Sequence, residues 1–110
     1  MFRIVSGGRV QIAIPEATGE VEAISLKTVS PEVWTPIAGV FDGTSLKVYL
    51  NGTLDRTTPA PKPPQGSTGP LFIGRSAGGG GNNFLGGIDD VRIYNRALST
   101  EEIARLAQGK

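Results

Sequence analysis

The chain has 110 residues and a formal net charge of +1 at pH 7, so it has room for one domain and lacks the basic surplus of nucleic-acid-binding proteins. It contains neither cysteine nor histidine, which excludes disulfides, thiolate metal sites and histidine-based general-base catalysis. No apolar run reaches the roughly 18 residues that a membrane span requires, and the 16 glycines and 8 prolines favour short strands joined by tight turns.

The first thirty residues predict three strands. Residues 2 to 5 precede a Ser-Gly-Gly turn signal, after which Val10, Ile12 and Ile14 alternate with polar or small residues. This period of two predicts a hairpin with one buried face. The apolar residues between 21 and 29 change phase once, which predicts a third strand with a bulge.

The middle of the chain predicts a second hairpin. Residues 34 to 41 form an apolar segment, and residues 45 to 50 alternate cleanly. The Asn51-Gly52 pair is typical of a two-residue type I′ turn, because both positions need positive φ. It joins the alternating strand to another at residues 53 to 58.

The last third combines loops, two further predicted strands and a helix. Four prolines between residues 59 and 69 predict an extended surface loop. Residues 71 to 74 read as a short buried strand, residues 76 to 83 as a glycine-rich loop, and residues 84 to 94 as a long final strand. Residues 99 to 102, with Ser at the N-cap and Glu three positions later, predict a short helix that docks on the sheet.

The sequence from Trp34 onward resembles the laminin-G-like, concanavalin A-like jelly-roll family. The resemblance lies in five motifs: WTPIA at 34–38, FDG at 41–43, LKVYLNG at 46–52, LFIG at 71–74 and FLGGIDDVRIYNRALS at 84–99. It implies an all-β fold, an antiparallel β-sandwich with one short C-terminal helix, formed by residues 1–110 as a single domain. It also implies that Trp34 packs in the core.

The chain departs from the family pattern in two ways. Thr35-Pro36 replaces the usual histidine after the tryptophan, and family members usually carry additional strands ahead of the first strand here. The domain is therefore expected to be truncated at its N-terminus. Missing strands leave an apolar face and unpaired edges that need a cover, so we expect a homo-oligomer, or a fragment of a longer domain.

Two aspartates invite a catalytic or metal-binding interpretation. Asp89 and Asp90 are consecutive on the predicted strand and point to opposite faces, so they do not form a hydrolase pair. The Glu-x-Asp-x-x-Glu motif of glucanase relatives is missing as well, and we expect no enzyme activity. The resemblance implies that Asp89 is a calcium ligand, which suits a hard cation; the alternative is a solvent-facing or turn-bonding aspartate.

Loops usually carry the selectivity of sandwich lectins. Arg75, Asn82 and Asn83 flank the run of four glycines, and we expect them to donate to and accept from sugar hydroxyls. The alternative is ordinary turn chemistry, since Gly-Gly-Asn-Asn is common in turns.

The leading hypothesis is a non-catalytic carbohydrate-binding or adhesion module that binds a carbohydrate or glycoprotein. A self-associating structural module is the alternative, and an inactive glycoside hydrolase fragment ranks below both. No nucleic acid or membrane span is expected. We expect an extracellular or cell-surface location within a larger protein, although residues 1 to 6 lack the start of a secretory signal.

Overall fold

The structure is a computed structural model that describes residues 1–16, 19–66, 70–75 and 83–109. In these residues, six strands form two three-stranded antiparallel sheets, and a helix follows near the C-terminus. The elements are β1 (Phe2–Val5), β2 (Arg9–Glu16), β3 (Gly19–Thr28), β4 (Ile37–Phe41), β5 (Ser45–Leu50), β6 (Thr53–Pro59) and α1 (Thr100–Ala107). Among the described helical residues, no stretch is long and apolar enough to cross a bilayer.

Each sheet is a meander that follows chain order, with β2 central in the first sheet and β5 central in the second. The turn between β1 and β2 places Gly7 and Gly8 at φ of 81° and 77°, a region that L side chains rarely adopt. Asn51 and Gly52 join β5 to β6 at φ of 54° and 78°. The predicted type I′ hairpin is therefore confirmed.

The core lies between the two sheets. The alternating residues of β2 and β5 face one another there, as the period of two predicted, and each buried Val, Leu or Ile side chain contributes about 1.5–3 kcal/mol. The buried core residues are Val10, Ile12, Ala23, Leu46, Val48, Leu50 and Ala60. Gly39 brings β4 close to the first sheet, because a Cβ at this position would overlap the side chains of Ile12 and Phe2.

The pairing of β2 with β3 contains the predicted irregularity. The register shifts between Arg9 and Gln11, which takes the backbone N–H of Val10 out of the ladder. This N–H donates instead to Oγ of Ser25 at 2.9 Å, and the Ser25 hydroxyl donates to the Lys27 carbonyl at 2.6 Å. Val10 and Ser25 are fully buried, so the serine satisfies a donor that water cannot reach.

The helix forms and docks as predicted. The backbone N–H of Glu102 donates to Oγ of Ser99 at 3.1 Å, and the backbone N–H of Ser99 donates to Oε1 of Glu102 at 3.0 Å. These two bonds form a capping box. Ile103 packs with Val40 and Tyr49, so α1 covers the face of the second sheet that points away from the core.

The two predicted strands after residue 70 are wrong. Residues 71 to 74 adopt no strand, and Leu71 is 70% exposed. Residues 84 to 94, all within the described stretch 83–109, form no strand either, and Val91 and Ile93 remain exposed. A period of two gives a segment one apolar face, but a strand also needs a neighbour that completes its ladder, and no described strand pairs with these residues.

The core position expected for Trp34 is also wrong. Its side chain is 72% exposed, and it lies three residues before β4 begins. The ring packs instead against the backbone of Gly87, where a Cβ would come within 2.8 Å of the indole. Trp34 therefore contacts the 84–94 segment at Gly87 and does not lie in the sandwich core.

Candidate functional site

Two of the three predicted sugar-binding residues lie at the neck of the glycine-rich segment. The backbone N–H of Phe84 donates to the Gly74 carbonyl at 2.7 Å, which joins the two ends of this segment. Arg75 directly follows one bonded residue, and Asn83 directly precedes the other. The structure thus brings these two residues to the same place, whereas Asn82 lies outside the described residues.

Arg75 is held in position by an aromatic ring. Its guanidinium carbon lies 4.5 Å from the centroid of the Phe72 ring, a cation–π contact. The side chain is exposed, so its fork of N–H donors faces solvent while the ring restricts its conformations. An arginine arranged in this way is suited to donating to two neighbouring hydroxyl or carboxylate oxygens.

Asn83 adds the complementary chemistry. It is exposed, and its amide group both donates and accepts hydrogen bonds. Sugar hydroxyls also do both, so the arginine and the amide next to the two hydrogen-bonded residues offer the donors and the acceptor that such hydroxyls use. We call Phe72, Arg75 and Asn83, with the bonded pair Gly74 and Phe84, the loop neck.

The surroundings of Asp89 match those of a turn-bonding aspartate. Its Oδ1 accepts the backbone N–H of Asp90 at 2.8 Å, and Asp90 itself has a positive φ of 53°. The Asp90 carboxylate pairs with Arg92 at 2.9 Å and thereby raises the pKa of that guanidinium. Asp90 is therefore paired with Arg92 in this structure.

The described residues do not by themselves fit a calcium ion. Calcium takes six to eight oxygen ligands, but the described part of the chain contains no group of three or more acidic, histidine or cysteine side chains that could hold a metal. Asp89 supplies one carboxylate with one oxygen already engaged. Calcium binding at Asp89 stays a prediction.

A second candidate site lies between α1 and the segment that precedes it. It is a shallow cleft of about 250 Å³, lined by Tyr94, Leu98, Glu102, Arg105 and Leu106. The Tyr94 ring is partly exposed and offers an aromatic face to a ligand. Arg105 forms no ion pair with the acidic residues of the described stretches.

The cleft was not predicted from the sequence. Leu106 reads as part of the helix stripe that packs on the sheet, and Tyr94 reads as a strand residue. Glu102, the acidic residue of the cleft, has a structural role, because the Arg96 guanidinium donates to both of its carboxylate oxygens, at 2.9 and 2.6 Å. This pairing, with the capping bond to Ser99, lowers the pKa of Glu102 to about 2.

Comparisons with known proteins identify the fold. A family model described as the concanavalin A-like lectin/glucanases superfamily matches residues 1–104, so the match includes the first three strands as well as the motifs from Trp34 onward. No curated protein sequence matches the chain.

One solved structure is similar to this chain over most of the length of this chain. It is the 2.1 Å crystal structure of residues 221–444 of an S-layer domain-containing protein from Clostridium thermocellum ATCC 27405. The two share 28% sequence identity, with a TM-score of 0.67. The alignment covers 91% of this chain and 52% of the solved one, so this chain spans about half the length of the solved chain that it matches.

Proposed function

The chain belongs to the concanavalin A-like lectin/glucanase superfamily, and we propose that it is a non-catalytic module that binds carbohydrate at a cell surface. The similarity to an S-layer domain-containing protein supports the surface location. A fold of this kind does not by itself decide between ligands, so the choice of carbohydrate rests on the candidate site.

The loop neck is the observation that carries the proposal. It combines an exposed arginine that contacts an aromatic ring with an exposed amide on the other side of the hydrogen bond between Phe84 and Gly74. Binding sites depend on a few polar groups that are already in place before the ligand arrives. The hydrogen bond between Gly74 and Phe84 and the contact with Phe72 supply that preorganisation.

Several features support a non-catalytic role. The sequence lacks histidine and cysteine, the usual general base near neutral pH and one common nucleophile. Glycoside hydrolysis needs a carboxylic acid whose pKa is raised and a second carboxylate opposite it. Glu102, the acidic residue of the cleft beside α1, has instead a lowered pKa of about 2, mainly because it pairs with Arg96.

A glycan array tests the proposal. The purified chain should give hits that the free glycan competes away, and Arg75→Ala should lose them. Arg105→Ala is the matched control, since it removes the same type of side chain from the α1 cleft. Loss of binding in the Arg105 variant alone would assign the binding site to that cleft. Release of reducing sugar by repurified protein would contradict the non-catalytic role.

Self-assembly is a second candidate function, and the exposed 84–94 segment favours it. Leu85, Ile88, Val91 and Ile93 are all open to solvent, and exposed apolar surface of this kind usually marks an interaction site. An assembling module would form a defined oligomer at micromolar concentration and would do so without sugar. Light scattering after size exclusion, run without sugar, tests this function, and a monomer would contradict it.

A further inference from the structure

The two sides of the sandwich differ in how they are closed. On one side, which we call the closed side, β3 of the first sheet contacts β6 of the second. Oδ2 of Asp55 on β6 accepts the backbone N–H groups of Leu26 and Lys27 on β3, at 2.5 and 3.2 Å. This carboxylate links the two edge strands and satisfies donors that would otherwise be open on the edge of β3.

The opposite side, which we call the open side, is formed by the edge strands β1 and β4. The Phe2 ring lies directly against Gly39 of β4, so β1 and β4 contact each other there. Phe2, Ile4 and Ile37 are between 40% and 50% exposed. Apolar side chains of both edge strands are therefore partly exposed on this side, and the outer edge of β4 has no partner strand among the described residues.

The same chain contains a segment with the pattern that could fill this gap. After the left-handed turn at Asp90, residues 91 to 94 read Val-Arg-Ile-Tyr, with apolar residues at the first and third positions. Ile93 is 70% exposed. These residues, which we call the pairing segment, belong to no strand of the described sheets.

We infer that two copies of the chain associate by exchanging this element, so that the pairing segment of each copy adds a strand to the β4 edge of the other. Val91 and Ile93 would then cover the exposed Phe2 and Ile4, and backbone groups would complete the ladder along β4. Because each copy has both an edge and a segment, the exchange closes as a two-fold dimer.

Charge selects the β4 edge over the β1 edge. Antiparallel pairing with β1 in the register that sets Val91 opposite Ile4 and Ile93 opposite Phe2 would place Arg92 opposite Arg3. Like charges directly opposite are destabilising. The β4 strand, Ile37–Phe41, has no charged residue. The net charge of +1 per copy adds little repulsion between two copies.

The exposed apolar surface is large enough for a dimer. Twelve of the exposed large hydrophobic residues lie on the open side or between Trp34 and Tyr94 off the sheets: Phe2, Ile4, Trp34, Ile37, Leu71, Ile73, Phe84, Leu85, Ile88, Val91, Ile93 and Tyr94. An aromatic side chain buries on the order of 150–250 Å² when fully covered, and the four aromatic members still expose roughly half of that area. A standard interface needs about 800 Å² per partner, so it would have to include aliphatic members of this set as well as the aromatic ones. The pairing rests on the assembly function and is independent of sugar binding.

Light scattering after size exclusion, combined with three matched variants, tests the pairing. The wild type should be a dimer, and both Ile37→Lys on the edge and Ile93→Lys in the segment should raise the dimer dissociation constant at least tenfold. Leu26→Lys is the control, because Leu26 is similarly exposed, at 64%, but lies on the closed side. It should change the dissociation constant less than twofold, and circular dichroism should show all three variants folded.

Mixing the two weakened variants provides the sharper test. The Ile37→Lys copy keeps an intact segment and the Ile93→Lys copy keeps an intact edge. The two variants together should therefore form a heterodimer at a concentration at which each variant alone stays monomeric. Hydrogen exchange should show the amides of residues 91–94 in the wild type protected only as concentration rises. A monomer at all concentrations would overturn both the pairing and the assembly function. A dimer insensitive to both variants would overturn the pairing alone.

Discussion

Ser25 offers the most direct test of how the first sheet is held together. The register shift between β2 and β3 leaves the Val10 N–H without a backbone acceptor, and Oγ of Ser25 is its partner at 2.9 Å. Replacing Ser25 with alanine removes this acceptor while leaving the shape of the sheet otherwise intact. The Val10 N–H would then be buried and unsatisfied.

The size of the effect follows from the burial of both residues. A buried donor left without a partner costs about 1–3 kcal/mol, and Val10 and Ser25 are both fully buried. The second bond of the Ser25 hydroxyl, to the Lys27 carbonyl, adds little, because Lys27 is exposed and water can replace the hydroxyl. We therefore expect Ser25→Ala to lower the free energy of unfolding by about 1–3 kcal/mol.

Urea denaturation measures this loss. With an m-value of about 2 kcal/mol/M, the midpoint should fall by roughly 0.5–1.5 M. Ser30→Ala is the control, since Ser30 is exposed and such surface changes usually stay within about 0.5 kcal/mol. Equal midpoints for the two variants would refute the role given to Ser25.

Three further predictions concern the closed side, the helix cap and the metal. Asp55→Ala should lower the free energy of unfolding by about 0.5–1.5 kcal/mol in urea titrations, because two exposed β3 amides exchange a charged acceptor for water; a loss no larger than that of Ser30→Ala would contradict the link. Arg96 lowers the pKa of Glu102 from 4.5 to about 2, so this stabilisation is complete above about pH 4.5 and falls as the pH drops toward 2. Urea midpoints of wild type and Glu102→Gln should therefore converge near pH 2, and a constant difference would contradict the pairing. If Asp89 binds calcium, titration calorimetry should detect heat that Asp89→Asn abolishes, whereas an unchanged signal would exclude Asp89 as a ligand.

Local sequence signals predicted much of this fold. The capping box at Ser99, the Asn51-Gly52 turn and the alternation of Leu46, Val48 and Leu50 each act over a few residues, and the structure confirms all three. The bulge in β3 was also readable, because the apolar residues change phase there. In each case the determinant is contained in the segment itself.

The wrong predictions depended on partners that a local pattern does not contain. Residues 91 to 94 alternate like a strand but find no ladder partner in the described chain, and Trp34 was placed in the core by family resemblance and not by any periodicity around it. The loop neck was predicted in part, since Arg75 and Asn83 stood out by type. The Phe72 contact and the α1 cleft arise from tertiary packing, which the sequence alone does not reveal.

The most direct test of the central claim is calorimetric titration of the strongest array glycan into three proteins: wild type, Arg75→Ala and Arg105→Ala. If the loop neck binds carbohydrate, wild type and the Arg105 variant should bind with similar dissociation constants, and Arg75→Ala should bind at least tenfold more weakly. Equal binding by wild type and the Arg75 variant would contradict the assignment of the site to the loop neck.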